Sequence, residues 1–189
     1  LCDAVRFASM NVGAGYEPPE TPLTSATPGL PPASKWALHR LNTAVKTTVD
    51  AMEVYDFANA TTGVYAFWQY DVCDVFIELM KPVMNGTDEV AKKATRDTLW
   101  TCLDAGLRLL HPFMPFVTEE LWQRLPRRAA ETAPSIMVAD YPAFTDDRTD
   151  NAVEESMAVA QEIVKATRSL RAAYNLPPKT KAELFIVTR

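Results

Sequence analysis

The sequence predicts a mainly α fold: an antiparallel helix bundle with a small C-terminal α/β appendage. Three observations carry this expectation. Apolar residues recur at spacings of three and four through most of residues 35–125. Turn-forming and helix-stopping pairs, Asn85-Gly86 and His111-Pro112 among them, cut that pattern into lengths that fold back on one another. Near the end, two short apolar runs flank one more amphipathic stretch. With 189 residues, 48% of them hydrophobic, the chain has the material for one core of ordinary domain size or slightly more, and it is not a disordered tail.

Residues 1–10 read as the end of a helix containing Val5 and Phe7. Residues 11–34 hold Gly13, Gly15 and six prolines, a density that no helix or central strand survives, so they form a long connection. Ser34 then caps a helix whose apolar stripe is Leu38, Leu41, Val45, Val49 and Met52. A second helix runs from about Asp56 to Met80 and is stopped by Pro82. Its inward positions are Ala60, Val64, Phe67, Val75, Phe76 and Leu79, its other faces are rich in aromatics, and Gly63 is a point of close packing. Thr87 caps a third helix, with Asp88 and Glu89 favoured by the dipole of its first turn and Leu99, Cys102, Leu103, Gly106, Leu109 and Leu110 buried. Pro115 opens a fourth that turns Val117, Leu121, Trp122 and Leu125 inward and closes at Pro126.

After a polar, mobile stretch over residues 126–134, Ser135–Ala139 has the length and apolar character of a strand. A helix from about Asp150 to Tyr174 carries Met157, Ala160, Ile163, Val164 and Leu170 on one side, and Glu183–Val187 reads as a second strand. Strand, helix and strand imply a right-handed crossover between parallel strands, in a sheet continued beyond Arg189. The expected division is therefore a bundle over residues 1–126 and an α/β part over 127–189.

Side-chain chemistry excludes more than it suggests. Three widely spaced cysteines (Cys2, Cys73, Cys102) make neither a disulfide framework nor a metal knuckle, which favours a reducing, intracellular setting. Cys73 and Cys102 sit in apolar helical stretches, where cysteine behaves as a small core residue, and neither His39 nor His111 has a metal-ligand neighbour. Asp71, Asp74 and Glu78 share a helix face, but the ExxH element of a carboxylate metal site is missing, so a solvated or ion-paired face is the expectation. Glu119-Glu120 point about 100° apart on a helix and suit its first turn better than an acid/base dyad. The aromatics Tyr65, Phe67, Trp68, Tyr70 and Phe76 are the type that stacks on bases, yet at helical spacing they read as core. Glycine is too scarce for a phosphate loop, and no apolar run reaches the ~20 residues of a membrane helix.

Charge is uneven. The net value is −5, but Lys165, Arg168, Arg171, Lys179 and Lys181 follow one another without an intervening acid. A basic end on an acidic body suits local phosphate contacts.

One stretch is far more specific. LRLLHPFMPFVTEELWQRL over residues 107–125 closely resembles a run in the C-terminal part of the valyl-tRNA synthetase family, a looser version of which occurs in the isoleucine and leucine enzymes of class I. The resemblance extends along the chain, through DAVRF (3–7), WALHRLN (36–42), WQYDVCDVFIELMKP (68–82), SIM (135–137), YP (141–142), RSLR (168–171) and LPP (176–178), and the details favour the eukaryotic cytosolic type. Cys2 and Asp3 stand where the family has Trp and Asn.

The resemblance implies the class I anticodon-binding bundle of a valine–tRNA ligase. The chain starts at Leu1 rather than Met, and the expectation is a segment of a longer polypeptide. It carries neither the HIGH nor the KMSKS motif that binds ATP in the family. The resemblance accordingly implies no catalytic residue, metal or cofactor in this segment. ATP is bound elsewhere in the parent enzyme, and the partners are the anticodon arm and stem of tRNA(Val) and the catalytic domain of the same polypeptide, with no membrane. It also implies RNA contacts at Arg6, Lys35, Arg40 and Lys46 on the anticodon side, and at Arg168, Arg171, Lys179 and Lys181 for the stem backbone. The reading from another class is a free-standing helical module that binds a protein through its apolar faces. It is separated from the first by salt, which weakens RNA binding steeply and an apolar contact little.

Overall fold

The computed structural model describes Arg6, residues 15–177 and residues 179–187. The expected first helix lies outside these residues apart from Arg6, which is helical and exposed. Six α-helices follow: α1 (Pro32–Glu53), α2 (Phe57–Ala66), α3 (Ile77–Met84), α4 (Glu89–Leu110), α5 (Pro115–Trp122) and α6 (Asn151–Ala173). A π-helical segment, Phe67–Phe76, joins α2 to α3 without a break. The described residues divide into two compact units, one ending at Asp150 and the other starting at Asn151.

In the first unit, α1 packs on α2, on the π segment and on α4, and α5 packs on α4. Leu38, Leu41 and Val45 of α1 meet a core built with Val64, Phe67, Phe76, Leu99, Leu103 and Leu107, all essentially inaccessible to solvent. The π segment explains which side chains reach that core. Ala60, Val64, Trp68, Val72, Phe76 and Met80 are buried at strict spacings of four. At about 100° per residue, each such step on an α-helix overshoots a full turn by roughly 40°, so five steps carry the stripe about 200° round. The wider π turns absorb this drift and keep one face on the core. The α-period expectation is therefore corrected beyond Phe67: Val75 is only half-buried and Leu79 is exposed, while Val72 and Met80 take the interior.

Helix ends differ from expectation in ways that have local causes. α1 begins at Pro32, whose fixed φ suits a first helical position, and Ser34 lies buried inside the first turn rather than capping it. Asp88 caps α4 in place of Thr87, accepting from Val90 N and Ala91 N at 3.0 Å each. Pro82 does not stop the second helix, which runs to Met84. The close-packing glycine is Gly106, not Gly63: a Cβ there would lie 2.9 Å from Trp68 Cζ2, whose indole N–H donates to the Gly106 carbonyl at 3.2 Å.

The α/β appendage is not shown: no strand forms among the described residues. A strand's backbone groups need a ladder partner, and here they are engaged otherwise. Ile136 N–H donates to Glu119 at 3.0 Å, and Ser135 Oγ accepts from Met137 N at 3.1 Å, which curls Ile136–Val138 into one 3₁₀ turn with only Ile136 buried. Residues 183–187 are extended and exposed, Phe185 at 82%. Residues 127–150, expected to belong with α6, hold instead to the bundle. Gln123 Nε2 donates to Pro134 O at 2.8 Å, Arg108 donates to Glu131 at 2.6 Å, and Asn42 Nδ2 of α1 donates to Thr145 O at 2.7 Å.

The Pro-rich connection is a packed strap over the part described. Leu23 and Leu30 are buried against Leu38 and Ala94. Its backbone is fastened by Arg128 Nε to Pro19 O (2.8 Å), Arg148 Nε to Leu23 O (2.9 Å) and Ser25 N to Asp147 O (2.9 Å). Tyr16 donates its hydroxyl to Asp97 at 2.8 Å, and burial with that carboxylate beside it pushes the phenol pKa far up.

Candidate nucleic-acid interface

The basic residues on the bundle and those on α6 are held in different ways. On α1, Arg40 Nε bonds Asp71 Oδ2 of the π segment at 3.0 Å, and Asp71 is nearly buried. The face that carries Asp71, Asp74 and Glu78 is thus ion-paired in part: Lys81 bonds Glu78 at 2.5 Å, as well. Lys46 bonds Asp50 at 2.6 Å one turn along α1, and that hydrogen bond holds its ammonium pKa above the ordinary value. Lys35 is half-buried at the start of α1. Lys35 and Lys46 are eleven residues apart, so they share a helix face about 16 Å apart along the axis, while Arg40 turns toward Asp71. The structure thus does not gather Lys35, Arg40 and Lys46 into one cluster.

In the second unit, α6 ends in a Schellman motif. Leu176 N donates to Arg171 O at 2.9 Å and Asn175 N to Ala172 O at 3.0 Å, with Asn175 at φ 50°. Asparagine tolerates that left-handed conformation, which is why Asn175-Leu176-Pro177 stops the helix there. The Arg171 guanidinium donates to Pro177 O at 2.7 Å and Thr180 O at 3.0 Å, so it staples the turn that carries Lys179 onto the helix end. Sequence reasoning assigned Arg171 to a phosphate; the structure places it on main-chain carbonyls. Arg168, Lys179 and Lys181 are exposed, as is Lys165, and among the described residues none of the four has a protein partner.

Other cations sit on aromatic rings. Arg108 and Arg127 lie 5.4 Å and 4.3 Å from the Trp122 ring centroid, and Arg128 lies 4.7 Å from that of Trp100. Trp122, inward as expected, also donates its indole N–H to Asp104 at 2.8 Å.

The aromatic stripe expected in the core divides. Phe67, Trp68 and Phe76 are buried, but Tyr65 and Tyr70 are exposed and meet edge to face with centroids 6.0 Å apart. The strict spacing of four picks out Trp68 and Phe76, while Phe67, one position off that register, is buried as well. Tyr55 and Phe57 at the α1–α2 turn form a second exposed edge-to-face pair, centroids 6.4 Å apart, which sequence reasoning missed.

Cys102 is fully buried, which pushes its thiol pKa to about 12, and Cys73 is half-buried with its thiol raised by the same cause. Glu119 is held below the usual carboxylate range by hydrogen bonds from Gln123, Ser135 and Ile136 N. Among the described residues, no cluster of three or more His, Cys, Asp or Glu is placed to hold a metal ion, and no helix is long and apolar enough to cross a membrane.

Comparison with known proteins gives this helical scaffold its family. The family model described as the anticodon-binding domain of tRNA ligase matches residues 34–186. The valine–tRNA ligase of Homo sapiens is 46% identical over 177 residues, covering 93% of this chain and 14% of that protein. That of Geobacter sulfurreducens is 43% identical over 180 residues, covering 94% of this chain and 20% of that protein. The mitochondrial valine–tRNA ligase of Saccharomyces cerevisiae is 40% identical over 176 residues, covering 93% and 16%. The chain thus spans a fifth or less of the length of these relatives. Its match reaches from the first turn of α1 to the extended residues beyond α6, and the chain belongs to the family of anticodon-binding domains of tRNA ligases.

Proposed function

We propose that the chain is the anticodon-arm-binding part of a valine–tRNA ligase and that its partner is tRNA(Val). The observation that carries this reading is the family match across both compact units, together with 40–46% identity to valine–tRNA ligases. In this reading the parent enzyme charges tRNA(Val) with valine in the cytoplasm, with ATP bound outside these residues. The bundle takes the anticodon side through Arg6, Lys35, Arg40 and Lys46. Residues beyond it meet the stem. Arg168, Lys179 and Lys181, exposed and unpaired among the described residues, supply the phosphate contacts, and Arg171 holds the turn that presents Lys179. Phosphate contacts position RNA without reading its sequence.

The test is titration of the chain with cognate and non-cognate tRNA at several salt concentrations. Arg168→Ala with Lys179→Ala should weaken both complexes by similar factors and lower the salt slope by roughly 0.7–0.9 for each phosphate that is no longer neutralised. Wild-type binding that is insensitive to salt would reject the RNA reading in favour of an apolar protein contact. Weakening confined to tRNA(Val) would show that these side chains read bases.

A further inference from the structure

Three arginines of the bundle stand without an acid of their own. Arg96 lies on α4, Arg128 follows α5, and Arg148 closes the 3₁₀ turn Asp146–Arg148. Among the described residues none of them has an ion pair, whereas Arg40, Arg108 and Arg124 each bond a carboxylate. Packing brings the three to one side of the unit. Arg128 lies 4.7 Å from the Trp100 ring centroid, and Arg96 stands one turn before Trp100 on α4. Arg128 and Arg148 fasten two neighbouring strap carbonyls, Pro19 O and Leu23 O, through Nε, and their Nη groups make no bond among the described residues. Their charges overlap. Burial and Asp97 push the Tyr16 phenol up, and Arg128 and Arg96 both pull against them. Burial, with the like charge of Arg128 added, holds the Arg148 guanidinium below its ordinary pKa.

The acids around this cluster are engaged or unbonded to it. Asp97 accepts from Tyr16 at 2.8 Å and from Lys93 at 2.7 Å, and Glu89 bonds Lys92 at 2.8 Å. Glu17 and Glu20 on the strap are exposed and make no ion pair among the described residues, and Asp147 acts on Arg148 through space alone. Arg96 Nε is buried and has no hydrogen-bond partner. Buried donors are as a rule satisfied, and arginine cannot shed its proton to escape the cost. A chain of net charge −5 thus keeps a local surplus of positive charge with nothing of its own to neutralise it.

We propose that Arg96 and Arg128 bind phosphates of the tRNA backbone, with Arg148 adding its charge beside them; the inference rests on the reading of the chain as tRNA-binding. Guanidinium forks match phosphate oxygens, and all three side chains are half-buried, so little freedom is lost when they bind. The recess between Arg128 and Trp100 has a volume of about 10 Å³, room for one water, so no nucleotide enters it. An occupant lies across this face, as a nucleic-acid backbone does.

The chain is titrated with cognate and non-cognate tRNA over a range of salt concentrations. Arg96→Gln removes no bond seen among the described residues and should leave the urea midpoint unchanged. It should weaken both complexes about fivefold at physiological salt and lower the salt slope by roughly 0.7–0.9, and adding Arg128→Gln should lower it by about as much again. Arg96→Lys keeps the charge and should keep the slope. A steep wild-type slope that Arg96→Gln leaves unchanged overturns this inference alone. Wild-type binding without salt dependence rejects the anticodon-arm reading and this inference with it. Weakening confined to tRNA(Val) means that Arg96 reads bases, and a fall in the urea midpoint means that it works inside the bundle; either overturns the proposal. So does a melting temperature that millimolar inorganic phosphate raises in the wild type but not in Arg96→Gln, with the tRNA slope unchanged, which makes the ligand a free anion. Polyglutamate that binds as tightly as tRNA and is weakened equally by Arg96→Gln makes the partner an acidic protein and overturns it too.

Discussion

Helices α1 and α6 have nearly the same length, 22 and 23 residues, and comparable amphipathic patterns, yet they meet opposite fates. α1 buries eleven side chains, Asn42 and Thr48 among them, whereas α6 buries none. Leu41 is inaccessible and Leu170 is 57% exposed. The difference shows that a stripe at spacings of three and four specifies a helix, not the partner of its apolar face. Around α1 that partner is supplied by the π-adjusted second helix, by α4 and by the Leu23–Leu30 strap. α6 holds its own shape through its Schellman end and the Arg171 staple, both local.

The largest expected effect breaks the contrast directly. Leu41→Ala should cost about 2–5 kcal/mol in urea unfolding, and Leu170→Ala less than about 0.5 kcal/mol. Comparable destabilisation at the two positions would mean that α6 is as deeply packed in solution as α1. A second substitution probes why α1 has so complete a partner. Gly106→Ala forces the Trp68 ring away from 2.9 Å and should cost about 1–3 kcal/mol, with a change in indole fluorescence. An unchanged melting temperature would show that the ring has room to move.

Charge sharpens the comparison inside α1 itself. Arg40→Ala leaves the nearly buried Asp71 without its guanidinium and should destabilise by about 1 kcal/mol or more. Lys46→Ala, which opens an exposed pair, should leave the urea midpoint where it is. A double-mutant cycle with Asp71→Asn checks that the first effect belongs to the pair. If Arg40→Ala instead leaves stability intact and weakens tRNA binding, its main work lies in the RNA interface.

The smallest effect concerns the two helix ends. α1 closes with the same motif as α6, Asp56 N on Ala51 O at 2.8 Å and Tyr55 N on Met52 O at 3.1 Å, but the left-handed residue is Tyr55 at φ 58°. A bulky residue there is strained, so Tyr55→Gly should gain about 0.5–1 kcal/mol, while Asn175→Gly should change little. Destabilisation by Tyr55→Gly would show that the ring contact with Phe57 outweighs the strain.

The helices were legible because their apolar periods and their Pro and Gly signals agree: Pro115 opens α5, His111-Pro112 ends α4, and Asn175-Leu176-Pro177 ends α6. What was not legible depended on partners distant in sequence. Nothing local to Ser135–Ala139 says that Glu119 takes the Ile136 N–H and cancels a strand. Nothing local to residues 18–32 says that their leucines and carbonyls meet α1, Arg128 and Arg148. Of the eight candidate RNA-binding side chains, sequence could mark the positive charges but not which of them are already engaged. Arg40, Lys46 and Arg171 bond within the chain, whereas Arg168, Lys179 and Lys181 have no such bond among the described residues.

The strap also sets an order of assembly. Ser25 bonds a carbonyl 122 residues further on, at Asp147. Closing so long a loop carries its entropy cost before any contact rewards it, and such contacts form late. On a ribosome adding about 5–20 residues per second, Ser25 waits roughly 6–25 seconds for its acceptor to be made. The helices from α1 to α5 are complete before that moment, so the strap latches onto a finished bundle. By the same logic it should be among the first parts to open, and a protease presented to the native chain should find residues 16–31 before it finds any helix of the core.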